Sequence, residues 1–280
     1  MNCDLHTHSS CSDGSDSPSL LAEKAARLGL TAVALTDHNT TAGLSEFMLA
    51  CEKQGIKGVP GVELSTEYKG TEFHILALFL KKENYDEIEE LVSFFQKLKR
   101  ESNILIVERL RQDGYDIDYN EILKKKPDGR INRFHIADEL MKKGYVESVS
   151  ETMDNLLSPK GKYYTPPERL AALDAIAHIK KMGCVAVHAH PFYSADISVL
   201  EEFFPLAREA GLDAIETEYT LYDRETTLLA RKTADKYGFL HSGGSDYHGI
   251  NKPETKLAVG KGNLLIPDEI YYNLLKKRKK

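Results

Sequence analysis

Histidines lie next to the apolar runs of this sequence at spacings that suit metal binding. His6 and His8 flank Thr7 directly after the apolar residues at the start of the chain. If that start is a β-strand, residues i and i+2 point to the same face, so both imidazoles can bind one ion. The pair predicts a metal site at the end of the first strand.

Further imidazoles and carboxylates stand at the ends of other predicted strands. The candidates are His38, Glu63, His74, His188, His190, Asp246 and His248. In a parallel barrel the carboxyl ends of all strands lie on one face, which brings residues far apart in the sequence into one mouth. We therefore expect a single cluster of these side chains.

The ligand types indicate the chemistry of this cluster. Imidazoles and carboxylates without thiolates suit zinc, manganese or iron, and the four cysteines show no CxxC spacing. The eight or nine candidate ligands exceed what one ion can take, so we expect two or three divalent ions. A centre of this kind activates water and holds an anionic ester, which predicts hydrolysis of a phosphate ester.

Length and charge exclude several classes of protein. The 280 residues can bury a sizeable core, and no apolar run is long enough to span a bilayer. The net charge of −6 favours neither duplex DNA nor anionic lipid as a partner. The first residues lack the features of a signal peptide, which predicts a cytoplasmic protein. The sequence leaves the oligomeric state open.

Strand-like runs alternate with helical patterns at both ends of the chain. The runs are 3–5, 32–35, 57–62, 73–80, 184–187, 213–217 and 239–241. From about 85 to 158 the pattern is helical throughout, and another helix is predicted over 168–182. We expect an α/β fold, a distorted seven-stranded TIM-like barrel formed by residues 1–84 and 171–280, with a helical cap inserted at 85–170.

The ordered motifs resemble those of the PHP (polymerase and histidinol phosphatase) family. They are Asp4-Leu5-His6-Thr7-His8-Ser9, Ser12-Asp13-Gly14, Thr36-Asp37-His38, Gly61-Val62-Glu63, Ala189-His190-Pro191 and Gly244-Ser245-Asp246-Tyr247-His248. The resemblance implies a distorted seven-stranded barrel with a trinuclear metal centre.

The resemblance also implies a role for each motif residue. His6, His8, Glu63 and Asp246 would hold the first metal. Glu63 would bridge to a second metal held by His74 and His190, and Asp13, His38 and His248 would hold the third. Catalysis would depend on Glu63, His190 and Asp246. We expect Asp4 and Asp37 to orient imidazoles, and His188 to support a ligand or to line the site.

The helical insertion resembles the cap of PHP phosphoesterases that act on nucleotides and on RNA 5′ ends. The resemblance rests on Arg133-Phe134-His135-Ile136-Ala137 and on Lys160-Gly161-Lys162-Tyr163-Tyr164. The guanidinium of Arg133 suits a bidentate phosphate contact, and His135 and Lys160 add donors. We expect these three residues to bind substrate.

The predicted activity is hydrolysis of a small phosphorylated substrate by metal-activated water. The resemblance implies a nucleoside 3′,5′-bisphosphate that loses its 3′-phosphate, or a short RNA cleaved from its 5′ end. One alternative is a histidinol phosphate phosphatase. A second is a metal-binding accessory module of a polymerase without activity of its own.

Overall fold

The computed structural model of the protein describes residues 2–125, 131–158, 161–164, 166–262 and 264–278. The chain divides into two compact units. The first comprises Met1–Val92 and Leu170–Lys280, and the second comprises Ser93–Arg169.

The first unit is built on one seven-stranded sheet. The strands, in chain order and in sheet order, are β1 (Cys3–Asp4), β2 (Ala32–Leu35), β3 (Lys57–Tyr68), β4 (Thr71–Leu78), β5 (Val185–Ala189), β6 (Ala214–Tyr219) and β7 (Leu240–Gly244). The helices are α1 (Pro18–Arg27), α2 (Leu44–Gln54), α3 (Tyr85–Gln112), α4 (Tyr119–Lys124), α5 (Arg133–Lys142), α6 (Val149–Asp154), α7 (Ala172–Lys181), α8 (Pro191–Ser194), α9 (Ile197–Ala210), α10 (Arg224–Tyr237) and α11 (Asp268–Arg278).

Hydrogen bonds between the two ends of the sheet bring it close to a closed barrel. The amide of Leu5, just after β1, donates to the carbonyl of Gly243 in β7 at 3.1 Å. Farther along the same seam, His8 N donates to Tyr247 O at 2.9 Å, and Asp246 N donates to His6 O at 2.9 Å. The predicted α/β fold, a distorted seven-stranded barrel, is confirmed.

The direction of β4 departs from the parallel arrangement that the strand-helix alternation predicts. β1, β2 and β3 pair in parallel, as do β5, β6 and β7, whereas β4 is antiparallel to both β3 and β5. β3 also continues past Glu63 to Tyr68, and a turn at Lys69 and Gly70 joins it to β4. Gly70 has a φ of +80°, which glycine adopts without strain. The mouth of the barrel therefore receives the first residues of β4, not its last.

Apolar side chains fill the opposite end of the barrel. Small and branched residues from β1, β2, β4, β5 and β6 form one buried cluster with Tyr271 and Leu274 of α11. The segment before α11 is bound to the start of β1, because Cys3 N donates to Ile266 O at 3.0 Å. This end is closed by packing, which leaves the carboxyl ends of the parallel strands for chemistry.

The helix predicted over 168–182 begins later, at Ala172. The residues before it pair with a strand, since Glu67 N of β3 donates to Leu170 O at 2.9 Å and Glu67 forms a bridge with Ala171. Backbone groups engaged with a neighbouring strand are not available for a first helical turn.

The second unit is helical, and its described residues contain no strand. Its core joins α3, α4 and α5 through buried residues such as Leu110, Ile122 and Leu140. Polar side chains cap three of its helices: Asp118, Asn132 and Ser148 each accept a hydrogen bond from an amide of the helix that follows. Across the described residues of both units, every helix is too short or too polar to cross a membrane.

Candidate metal centre

The seam between β1 and β7 positions the first group of side chains. The segments that follow β1 and β7 stay hydrogen-bonded to each other beyond the strands, so that Asp246 faces His6 and His8. The Oδ1 atom of Asp246 lies 3.1 Å from His8 Nε2 and 3.7 Å from His6 Nε2. The i, i+2 spacing thus presents both imidazoles to one carboxylate, as the sequence predicts.

Glu63 of β3 lies at the middle of the cluster and is fully buried. Its Oε2 atom lies 3.1 Å from His6 Nε2, 3.3 Å from His8 Nε2 and 3.1 Å from His38 Nδ1. Its Oε1 atom contacts different rings: His74 Nδ1 at 2.8 Å and His190 Nε2 at 3.2 Å. Each oxygen of this carboxylate therefore belongs to a separate set of imidazoles.

Backbone pairing explains how three of these rings reach Glu63. His38 and Glu63 form a parallel bridge beyond the end of β2. His74 lies in the first half of β4 and pairs with Ser65 of β3 on one side and with Ala189 of β5 on the other, so it stands near the mouth. His190 follows β5 directly.

Asp13 lies on the outer side of the cluster. It approaches His248 Nε2 at 3.2 Å, and His8 and His38 at 3.8 Å each. The loop that carries Asp13 is tight, because a Cβ on Gly14 would stand 2.5 Å from the carbonyl oxygen of His8. A larger residue at position 14 would displace this loop from the cluster.

Four groups of side chains have donor atoms close enough to surround an ion, with all atoms of a group within 4.8 Å of one another. The groups are His8, Asp13, His38 and His248; His6, Glu63 and His190; His6, His8 and Asp246; and His38, Glu63 and His74. Together they contain all nine residues that the sequence predicts as ligands, which the structure brings into one cluster.

The hydrogen bonding of the cluster fits bound cations. Several buried nitrogen and oxygen atoms that could bind an ion make no hydrogen bond to any residue that the structure describes. They are His6 Nε2, both ring nitrogens of His8, Glu63 Oε2 and His248 Nε2. Buried polar atoms without partners are costly, and a divalent ion would satisfy imidazole and carboxylate atoms together. The residues present therefore fit a metal centre.

A family model of the PHP domain matches residues 4–164 of this chain. The chain is 30% identical to the 3′,5′-nucleoside bisphosphate phosphatase of Chromobacterium violaceum, over 88% of this chain and 87% of that protein. The chain belongs to the PHP family. It is also 28% identical to the 5′-3′ exoribonuclease of Haemophilus influenzae, over 88% of this chain and 89% of that protein.

A solved structure supports the same assignment. A Bifidobacterium adolescentis protein classed as a metal-dependent phosphoesterase is 30% identical to this chain, with a TM-score of 0.71 over 98% of this chain and 96% of that one. The predicted PHP family, its barrel fold and its enzyme class, a metal-dependent hydrolase of phosphate esters, are confirmed.

The carboxylates of the cluster favour protonation of two of its imidazoles, those of His8 and His74, when no cation is bound. Burial by itself lowers the pKa of His74 and His8, but neighbouring carboxylates outweigh it: Glu63 helps to raise the pKa of His74 to about 10, and Asp246 with Glu63 raises that of His8 to about 9. Burial lowers the pKa of His38 to about 4. Burial would raise the pKa of Glu63, but the surrounding imidazoles hold it well below its usual range. A cation that enters must displace protons from His8 and His74.

A buried carboxylate that sequence reasoning missed supports the cluster from β6. Glu216 Oε1 lies 3.0 Å from His6 Nδ1, and its Oε2 accepts a hydrogen bond from the backbone N–H of His190 at 2.8 Å. His190 has a φ of +34°, a conformation that is unfavourable for a residue other than glycine. Glu216 thus fixes the His6 ring and holds His190 in its turn. The available signal was a charged residue directly after the apolar pair Ala214-Ile215 of a predicted strand.

Asp4 and Asp37 act differently from the expectation that they orient imidazoles. Asp4 accepts from the amide and hydroxyl of Ser245, at 2.9 and 2.6 Å. Asp37 accepts from the amide and hydroxyl of Ser9, at 2.8 and 2.6 Å. Both carboxylates hold the loop backbone that carries the ligands and contact no imidazole ring through these bonds.

His188 lies outside the centre, contrary to the expectation. It pairs with Ile75, the neighbour of His74 on β4, and therefore points to the opposite face of the sheet. There it is fully buried beside Phe73 and Phe203, with ring centroids 4.6 and 5.3 Å away. The turn at His190 breaks the i, i+2 alternation that would place both rings on one face.

The predicted substrate contacts belong to the second unit. Arg133 Nη1 donates to Leu157 O at 2.6 Å, and its guanidinium carbon lies 4.0 Å from the centre of the Tyr164 ring. His135 Nδ1 accepts from Asn132 N at 3.2 Å at the start of α5. Lys160 lies outside the described residues. Their role in binding substrate stays a prediction.

Proposed function

We propose that this chain hydrolyses phosphate esters of nucleotides at a centre of two or three divalent ions. The observation that carries the proposal is the position of Glu63, whose two oxygens contact two separate sets of imidazoles. A carboxylate placed in this way can join neighbouring ions, and paired ions suit displacement at phosphorus. Manganese, iron and zinc all match the donors.

The nine residues would hold the ions in the sets that the family resemblance implies. His6, His8 and Asp246 lie with Glu63 Oε2, while His74 and His190 lie with Glu63 Oε1. Asp13, His38 and His248 would complete a third position. Bound ions of this type supply a more acidic water and neutralise charge on the phosphoryl oxygens.

Side chains of the protein position the candidate ligands and keep water from part of the site. Glu216 keeps Nε2 of His6 directed at the cluster through its contact with Nδ1. Tyr219 donates a hydrogen bond to Asp246 Oδ2 at 3.1 Å, which leaves Oδ1 facing the imidazoles. Burial of His6, His8 and Glu63 excludes water from the inner side of the site.

The substrate part of the proposal follows the curated relatives. The Chromobacterium violaceum protein is named for nucleoside bisphosphates, and the Haemophilus influenzae protein is named as an exoribonuclease. We infer that this chain removes the 3′-phosphate of nucleoside 3′,5′-bisphosphates or cleaves short RNA from its 5′ end. Histidinol phosphate hydrolysis and a non-catalytic polymerase module have no structural observation in their favour. A cytoplasmic location and the absence of duplex DNA binding stay predictions.

The test is a phosphate-release screen of the protein loaded in turn with Mn²⁺, Fe²⁺ and Zn²⁺. The substrates are a nucleoside 3′,5′-bisphosphate, nucleoside monophosphates, a 5′-phosphorylated oligoribonucleotide and histidinol phosphate. We expect turnover of the bisphosphate or the oligoribonucleotide, and loss of that turnover after treatment with a chelator. Efficient hydrolysis of histidinol phosphate with none of any nucleotide would overturn the substrate assignment. No turnover of any ester with a fully loaded centre would overturn the enzymatic proposal.

A further inference from the structure

A lysine contacts the metal-ligand cluster from the solvent side. Lys252 Nζ lies 3.0 Å from Oδ2 of Asp246, and its side chain is 47% exposed. Among the ion pairs of the described residues, no other lysine or arginine pairs with Asp13, Glu63 or Asp246. An ammonium group at the mouth of the barrel is therefore within reach of an anionic substrate.

Lys252 would exchange its partner when a cation binds. Asp246 Oδ1 faces His6 and His8, so an ion held there would take up part of the carboxylate charge. The same ion would repel the ammonium of Lys252. Because lysine has a flexible four-carbon side chain, Nζ can turn from Asp246 to a phosphoryl oxygen close by without a change in the backbone.

An exposed aromatic ring lies near the tyrosine that hydrogen-bonds to the same carboxylate. Tyr193 is 64% exposed, and its ring centroid lies 6.3 Å from that of His190 and 6.1 Å from that of Tyr219. Tyr219 in turn donates to the Asp246 oxygen that Lys252 contacts. The turn that carries Tyr193 is held in place, since Phe192 N donates to the hydroxyl of Tyr222 at 3.0 Å.

We propose that Lys252 and Tyr193 form a nucleotide subsite on the barrel, in which Lys252 contacts the phosphoryl group that is hydrolysed and Tyr193 stacks against the base. The inference rests on the proposed function, because it needs a nucleotide substrate. A cation for phosphate beside an exposed aromatic surface is the combination that proteins use for nucleotides without base-specific hydrogen bonds. The subsite belongs wholly to the first unit.

The test compares adenosine 3′,5′-bisphosphate with a phosphorylated ribose that lacks a base. Lys252→Met should lower kcat/KM for both substrates by about 10- to 100-fold, the size of a lost charge-assisted contact, and Lys252→Arg should restore part of it. Tyr193→Ala should lower kcat/KM about 5- to 100-fold for the nucleotide only, and Tyr193→Phe should retain it because the ring suffices for stacking.

Binding supplies a readout besides activity. With the metal-loaded protein, Lys252→Met should weaken the binding of inorganic phosphate in calorimetry, whereas Tyr193→Ala should weaken that of AMP but leave that of phosphate unchanged. Matched controls are Lys261→Met, a half-exposed lysine that pairs with Glu254, and Tyr272→Ala on α11. Metal content is measured for every variant.

The outcomes separate this inference from the proposed function. If the native protein hydrolyses nucleotides while Lys252→Met and Tyr193→Ala behave like the controls, the subsite is wrong and the proposed function stands. Loss of metal in Lys252→Met would show that the lysine supports Asp246 and would overturn its contact with substrate. Equal losses on both substrates in Tyr193→Ala would overturn the base contact. If the native protein hydrolyses no nucleotide, the proposed function fails first.

Discussion

Nδ1 of His74 lies 2.8 Å from Oε1 of Glu63, although His74 pairs across the hairpin with Ser65 and not with Glu63. The antiparallel pairing of β3 and β4 produces this contact, because it sets His74 opposite Ser65, which lies two residues along β3 from Glu63 and on the same face. The other oxygen of Glu63 remains free to face His6, His8 and His38. The hairpin therefore gives one carboxylate two separate sets of imidazole neighbours.

Replacement of Glu63 by glutamine should abolish activity with little effect on folding. The amide keeps the volume but lacks the charge with which Glu63 would join two ions, so we expect kcat/KM to fall by about 1,000-fold or more and metal content to fall. Elemental analysis and steady-state kinetics measure both. Glu67→Gln on the same strand, which lies in none of the ligand groups, is the control. Near-normal turnover of Glu63→Gln with full metal content would contradict the bridging role.

Glu216→Gln should weaken metal binding without a large loss of stability. An amide cannot accept from both His6 Nδ1 and the His190 amide as a carboxylate does, and loss of such a supporting contact costs about 10- to 100-fold in metal affinity. Competition with a chelator measures the affinity. Glu218→Gln, two residues along β6 and paired with Arg231 at 2.7 Å, should leave affinity unchanged. Equal effects of the two variants would assign Glu216 a purely structural role.

The stability of the metal-free protein should fall with increasing pH. The pKa values of His8 and His74 are raised from 6.5 to about 9 and about 10. Their contribution to the free energy of unfolding is therefore complete below pH 6.5 and is lost as the pH rises through the raised values. Metal binding needs the unprotonated rings and strengthens over the same interval. Thermal unfolding with and without Zn²⁺ should therefore show a gap in Tm that widens from pH 6.5 upwards. A gap that is constant or narrows would exclude these two histidines as ligands.

His188→Phe should stabilise the protein and leave its metal content unchanged. Both ring nitrogens of His188 are buried without a hydrogen-bond partner among the described residues, and burial keeps the pKa of this ring well below its usual range. Phenylalanine extends the aromatic cluster with Phe73 and Phe203 and removes those polar atoms. We expect the free energy of unfolding to rise by about 1 kcal/mol, measured by denaturant titration. A loss of metal would instead assign His188 to the centre.

Arg133→Ala should reduce the preference for a bisphosphorylated over a monophosphorylated nucleoside. If Arg133 holds the second phosphate, the free-energy difference that corresponds to the ratio of the two kcat/KM values should fall by about 1.5 to 3 kcal/mol, the range for a charge-assisted hydrogen bond. The residue also donates to Leu157 O and stacks on Tyr164, so Tm is measured and Arg133→Lys serves as the charged control. Equal losses on both substrates would place Arg133 at the phosphate that they share. No change in either would leave it with its contacts inside the second unit alone.

Local chemistry in the sequence determined most of the candidate ligands and much of the element order. His6 and His8 follow a strand, Ser17 caps α1 by accepting from Leu20 N, and the helical period between β4 and β5 is visible without a structure. These features depend on neighbours a few residues away, which a linear pattern records. That is why eight of the nine ligand candidates are identifiable from type and spacing, whereas Asp13 is identified only through the family resemblance.

The tertiary structure decided the direction of β4 and the side of the sheet on which His188 lies. It also decided that the two oxygens of Glu63 contact different sets of imidazole rings. It also decided that Asp4 and Asp37 bind serines and that Glu216 supports His6 and His190. Each of these depends on which strands become neighbours, and residues as far apart as His6 and Glu216 meet only once the barrel closes. The sequence does not indicate which residue a buried carboxylate will contact. A low-dielectric interior requires a partner for the charge, but that partner can lie anywhere along the chain.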